Sequence, residues 1–316
     1  MTHKNDLKKS WSIIKNVINK NKAKNKPNIQ LKINDKILND PYLIAEQFNS
    51  YFVNIGSNLD KKKSKTNKSP LDYINNNYTV NMYLNPDSAD EIYKIIDKLK
   101  DCACGWDEVP SSLIKSTKNQ ISTILAHIIN LSLSQGIFPT EVKLANIIPI
   151  YKAGDKDQTG NYRPISLLTT FSKLYERVFY NRLSNFLKMQ KILFEYQFGF
   201  RTNHSTDMAL MVLMDKIIDA LEKGHLMVGI FLDFSKVFDT VNHQILLNKL
   251  NIYGIRGVAN DWIRSYLFEH SQYCTYDNTK SSTKLINCGV PQGSILGPLL
   301  FLTYINDLHL ATSILT

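Results

Sequence analysis

Hydrophobic and polar positions change rhythm near residue 143 of this 316-residue chain. Before that point, apolar residues recur at three- and four-residue spacing, the signature of helices with one buried stripe. Residues 7–18 predict a short amphipathic helix, and an Asn/Lys-rich stretch follows it to Pro27. In residues 41–59 the positions Ile44, Phe48, Tyr51 and Phe52 share one helical face, and Pro41 sits where a first-turn proline is tolerated. Residues 60–70 are polar and lysine-rich, a linker by composition. Residues 87–99 and 111–134 predict two further helices, the second ended by Gly136-Ile-Phe-Pro139.

Beyond residue 143 the texture alternates between strand, turn and helix. Residues 145–151 and 162–168 flank a Gly/Asp-rich turn and predict a β-hairpin. Residues 171–189 and 241–250 predict helices. Residues 226–234 form a nearly continuous apolar run that ends in Asp233, as expected of a central strand buried on both faces.

Charge changes the picture only at one end. The net charge is +10. Residues 1–70 hold 15 Lys, no Arg and 5 Asp+Glu, while the other 246 residues hold 23 of each sign. The excess, at residues 15–26 and 61–65, reads either as a solvated arm or as a nucleic-acid contact. Cys102, Cys104, Cys274 and Cys288 form no C-x-x-C pair, so the expectation is reduced thiols in an intracellular protein, in cytoplasm or nucleus. The apolar runs are far shorter than the roughly 20 residues a membrane span needs, and the N-terminus lacks the apolar centre of a secretory signal.

Two segments carry candidate chemistry. A carboxylate at the exit of a buried strand, as in Phe231-Leu-Asp233-Phe-Ser, is rigidly placed, and Mg²⁺ asks for such hard oxygen ligands. An aspartate there serves equally as a turn or cap residue. Gly289-Val-Pro-Gln-Gly-Ser-Ile-Leu-Gly-Pro298 opens a helix running to Asp307. Its glycines allow close backbone approach, and Ser294 can cap a helix end that attracts phosphate. An ordinary Pro-Gly turn fits the same residues.

Taken together and in order, these stretches resemble the reverse transcriptase domain of non-LTR retrotransposons of the jockey-like and LINE-like kind. Asn161-Tyr-Arg-Pro-Ile-Ser-Leu-Leu168 is similar to the fingers hairpin, and Gln197-Phe-Gly-Phe-Arg-Thr-Asn-His-Ser-Thr206 to the next fingers segment. Phe231-Leu-Asp-Phe-Ser-Lys-Val-Phe-Asp-Thr-Val-Asn-His243 resembles the first palm motif, and Gly289–Pro298 with Tyr304-Ile-Asn-Asp-Leu308 the second. Cys104-Gly-Trp-Asp-Glu-Val-Pro110 is a weaker match upstream.

The resemblance implies an α+β fold, a right-hand polymerase with fingers and a partial palm. It divides the chain into a lysine-rich arm and linker (1–70), a helical N-terminal extension (71–142), and fingers with an incomplete palm (143–316). It implies RNA-directed DNA polymerisation with template RNA, a DNA primer, deoxynucleoside triphosphates and Mg²⁺. Asp233 matches the first catalytic aspartate, and the Phe234 carbonyl is a further metal ligand. Lys152 and Arg163 would grip the triphosphate, Phe238 would exclude a ribose 2′-hydroxyl, and Gln292 would line the nucleotide pocket. Gln197, Arg201 and Gly293 would meet nucleic acid.

Some residues depart from the family pattern. Val237 stands where alanine is usual, and Phe268-Glu-His-Ser-Gln272 lacks the common arginine. The aromatic-Ala-Asp-Asp motif is absent from these 316 residues. The expectation is therefore a polymerase by descent, inactive as this chain, with a non-catalytic nucleic-acid binder or interaction scaffold as the alternative.

Overall fold

The computed structural model describes residues 29–33, 36–60, 69–74 and 78–311. The predicted helix at 7–18 and the lysine clusters at 15–26 and 61–65 lie outside those residues. The architecture is a mixed α and β one: helices packed around and beside a small mixed sheet.

The predicted hairpin forms. Strand β3 (Leu144–Tyr151) pairs antiparallel with β4 (Tyr162–Leu167), so that Ile150 lies opposite Arg163. The other edge of β3 pairs in parallel with β5 (Ser271–Tyr276), Ile147 opposite Cys274. Short strands β6 (Thr279–Lys280) and β7 (Lys284–Leu285) both pair antiparallel with β5. A separate two-stranded ribbon joins β1 (Leu31–Ile33) and β2 (Lys36–Leu38).

Helix α1 (Pro41–Asp60) follows the predicted stripe. Its Ile44, Phe48, Phe52 and Ile55 bury against Ala145, Ile147, Tyr162 and Cys274 of the sheet. A buried amide pair fixes its register: Gln272 donates to Asn49 Oδ1 at 3.0 Å, and Asn49 donates to the Ser282 carbonyl at 2.8 Å. Such groups are stable inside only when paired.

The larger core gathers α2 (Ala89–Asp97), α4 (Lys118–Gln135), α5 (Thr170–Met189), α7 (His243–Ile252), α8 (Val258–Leu267) and α9 (Gly297–Ile305). Trp262 lies at its centre, stacked on Phe179 at 4.1 Å. Caps define the helix starts as their sequences imply. Thr169 accepts from the Ser172 N–H at 3.0 Å, and Asn242 from the Ile245 N–H at 3.0 Å. Gly136, at φ 68°, closes α4 just before Pro139.

Two expectations differ from the structure. The helix predicted over 111–134 divides at Thr117 into α3 (Ser111–Ser116) and α4. There the Thr117 hydroxyl donates to the Leu113 carbonyl at 2.9 Å, a side-chain bond that competes with helical continuation. The strand predicted over 226–234 is irregular and exposed: Leu226 is 100% and Phe231 88% accessible. A strand buried on both faces needs neighbours to complete its ladder. Here β3 has β4 on one edge and β5 on the other, and none of the described strands pairs with 226–234. Helix α6 (Thr206–Glu222), which leads into that stretch, has no buried residue. Among the described residues, no helix is long and apolar enough to cross a membrane. None of the four cysteines is joined to another in a disulfide.

Candidate functional site

The segments set apart by their sequence meet around the loop 289–296. Lys236 takes a left-handed conformation at φ 53° and starts the one-turn helix Val237–Thr240, which turns Asp239 inward. The loop clasps this turn through its backbone: Val290 N–H donates to the Phe238 carbonyl at 2.7 Å, and Gly289 N–H to that of Val241 at 2.8 Å. His243 lies 2.7 Å through Nε2 from the Gly289 carbonyl and so donates to it. Burial holds its pKa below the usual imidazole value, which keeps the ring neutral and a donor on one side only.

Gln292 sits between two elements. Its backbone carbonyl accepts from the Ser166 N–H of β4 at 2.8 Å. Its Nε2 donates to both oxygens of Asp239, at 2.8 and 2.9 Å. Gly293 adjoins the same strand, since a Cβ built there would stand 2.7 Å from the Ser166 carbonyl oxygen. The β3–β4 hairpin, the turn after Asp233 and the glycine-rich loop thus share one junction.

At the far end of the loop, Glu176 reaches over from α5. It is fully buried, and its Oε2 accepts from the N–H groups of Ile295 at 2.6 Å and Leu296 at 3.0 Å. Burial raises its pKa to about 7 despite those bonds, which favour the charged form. Ser294, expected as a cap, accepts from the Gly297 N–H at 3.0 Å.

The remaining predicted residues fall outside this junction or at its rim. Arg163 and Lys152 are exposed on the hairpin, and the Lys152 N–H donates to the Asn161 carbonyl at 2.8 Å. Arg201 donates through Nη1 to the carbonyls of Phe194 at 2.9 Å and Gln197 at 3.2 Å, which ties its own loop together. Phe238 is half-buried between Phe200 at 5.9 Å and Phe301 at 5.3 Å. Asp233 and Phe234 remain exposed on the irregular stretch.

Among the described residues, no three His, Cys, Asp or Glu side chains converge where they could hold an ion. Asp239 is committed to Gln292. Two Mg²⁺ ions need several carboxylates around them, so the donors in place do not fit such a pair.

The model of one protein family, described as reverse transcriptase (RNA-dependent DNA polymerase), matches residues 150–312, just over half of the chain. The chain belongs to the reverse transcriptase family. It is 32% identical over 273 residues to the RNA-directed DNA polymerase from mobile element jockey of Drosophila melanogaster, covering 82% of this chain and 29% of that protein. It is 32% identical over 246 residues to the probable RNA-directed DNA polymerase from transposon BS of the same fly, covering 75% and 26%. The probable polymerase from transposon X-element is 30% identical, with 75% and 26% covered. The chain therefore spans less than a third of the length of these relatives. Among solved structures, an apo telomerase from Candida tropicalis covers 84% of this chain and 70% of its own at 11% identity, with a TM-score of 0.35.

In this reverse transcriptase chain, sequence reasoning passed over Asp239, His243 and Glu176. Asp239 and His243 stand inside a recognisable motif but look there like ordinary turn and helix-start residues. Glu176 left one signal, a lone acid on the helical face shared by Ser172, Phe179 and Leu183.

Burial raises the Asp239 pKa to about 6, against the opposing pull of Gln292 and Lys236. From the ordinary aspartate value of 3.8 upward, the unfolded chain releases this proton before the folded one does. The stability that Asp239 contributes is therefore fully present below that value and lost as pH rises to about 6. Asp239→Asn removes that dependence. The melting temperature of the variant minus that of the wild type should climb between pH 4 and pH 6, and a flat difference would contradict the burial of this carboxyl.

Proposed function

We propose that this chain provides the fingers and part of the palm of a non-LTR retrotransposon's RNA-directed DNA polymerase, with residues 71–142 as a helical extension and residues 1–70 as an arm and linker. The reaction of the whole polymerase is nucleotidyl transfer from a deoxynucleoside triphosphate to a DNA primer on an RNA template. One observation carries the reading: Gln292 touches both the hairpin and the turn that follows Asp233.

Each role follows from the chemistry of the residue. Arg163, exposed on β4, suits a bidentate grip on triphosphate oxygens, and Lys152 a point charge beside it. Gln292 presents an amide to the nucleotide side, anchored through Asp239. Phe238, backed by Phe301, offers a flat wall that a 2′-hydroxyl would strike. Gln197, Arg201 and Gly293 lie along the nucleic-acid path. The family resemblance carries Mg²⁺ with it, for which Asp233 and the Phe234 carbonyl are the candidate ligands, although the donors in place do not complete a two-ion site.

The test is equilibrium binding of dATP and of an RNA–DNA primer–template hybrid to the full chain. Arg163→Ala is expected to weaken dATP binding at least tenfold, since a hydrogen bond to a charged group contributes about 1.5–3 kcal/mol. Hybrid binding without any dATP binding would favour a nucleic-acid-binding remnant. Binding of neither would sink the reading.

A further inference from the structure

The loop 289–296 has no regular structure of its own, yet it must hold Gln292 and Gly293 to within fractions of an ångström if they are to shape a pocket. Three groups fix its first half: the backbone of the turn 237–241, the His243 ring and the Ser166 N–H. Its second half runs into α9, where the Ser294 hydroxyl takes the Gly297 N–H, while the Ile295 and Leu296 N–H groups just ahead of the helix need another acceptor. Leu296 occupies the cap position and has no side chain able to accept them. A second helix, more than a hundred residues earlier in sequence, supplies the acceptor.

We propose that Glu176 is the positioning residue of this loop: its buried carboxylate holds the two N–H groups just ahead of α9 and thereby sets where Gln292 stands. The inference rests on the polymerase reading only for its consequence at the nucleotide. Two features suit an oxygen acceptor at this place. Both N–H groups converge on one oxygen, Oε2, at 2.6 and 3.0 Å, which calls for an acceptor rich in lone pairs. A helix N-terminus also carries partial positive charge, which favours an anion. The other oxygen faces the Ser172 hydroxyl at 3.4 Å, one turn back on α5. Glu176 meets no solvent, so its contribution is to hold the loop and not to take part in chemistry.

Hydrogen exchange on the full chain tests the contact directly. Glu176→Gln keeps the volume and one acceptor oxygen, so exchange at the Ile295 and Leu296 amides should stay near wild type. Glu176→Leu removes the acceptor, and exchange there should speed up roughly tenfold or more while peptides from α8 keep their protection. If the leucine variant fails to fold, Glu176→Asp, which withdraws the carboxylate by one methylene, should show the same local loss. Wild-type exchange at 295–296 in Glu176→Leu, or in Glu176→Asp where that variant is used, would overturn the proposal. In parallel, Glu176→Leu should weaken dATP binding at least tenfold and leave hybrid binding unchanged, a split that general destabilisation would not produce. If wild type binds no dATP, the polymerase reading falls, and exchange alone still decides whether Glu176 holds the loop.

Discussion

Gly289→Ala is expected to destabilise the protein by about 3 kcal/mol or more and to abolish dATP binding, because the new methyl group meets backbone on one side and backbone strain on the other. The position has φ +85°, and a Cβ there would lie 2.8 Å from the Phe238 carbonyl oxygen and 2.9 Å from the Asp239 Cα. Neither atom can swing away as a flexible side chain does. The turn 237–241 and the loop would have to separate, losing the Val290–Phe238 and Gly289–Val241 bonds, each worth about 1 kcal/mol. Gly224→Ala is the control. It has φ +68° but nothing within 4 Å, so it should cost only the conformational part, about 1 kcal/mol. Urea denaturation of the two variants checks this. Equal losses would show that the close approach at Gly289 is unimportant.

Trp262→Ala should be as damaging, by a different route. The indole is fully buried, parallel to Phe179 at 4.1 Å and edge-on to Phe138 at 5.3 Å, and its Nε1 donates to the Ser132 hydroxyl at 3.0 Å. Truncating a buried aromatic costs about 3–5 kcal/mol through lost contact and the cavity left behind. Trp262→Phe retains a ring and loses the N–H bond, with an expected loss of about 1 kcal/mol. The effect should reach the site, because Phe179 lies three residues beyond Glu176 on α5. Accelerated exchange at Ile295 and Leu296 in Trp262→Ala would register that coupling. A urea midpoint near wild type would refute the central place given to this residue.

Much of the local architecture was legible from residue spacing. The stripe Ile44–Phe48–Phe52 becomes the buried face of α1, and the two apolar runs around a Gly/Asp turn become β3 and β4. Helices α5 and α7 start where Thr169 and Asn242 can cap them. These features depend on neighbours within a turn or a hairpin, where sequence distance and spatial distance nearly coincide.

The site was legible only as an ordered set of motifs. Periodicity gave no hint that Gln292 would bond Asp239, or that Ser166 would hold the loop. Nor did it reveal β5, whose parallel pairing with β3 joins residues 127 positions apart at Leu144 and Ser271. The stretch 226–234 shows the reverse error. Its composition specifies burial on two faces, but composition cannot supply the neighbouring strands on which such burial depends.

What the sequence determined by itself is the hairpin and those helices whose burial stripes and caps are local, and through its ordered motifs the reverse transcriptase family. What only the tertiary structure decided is which polar groups are taken out of water and who satisfies them. Asp239 and Glu176 are ordinary acids in the chain. Folding places one against Gln292 and the other against two backbone N–H groups, and the same burial that raises their pKa values makes those partners indispensable.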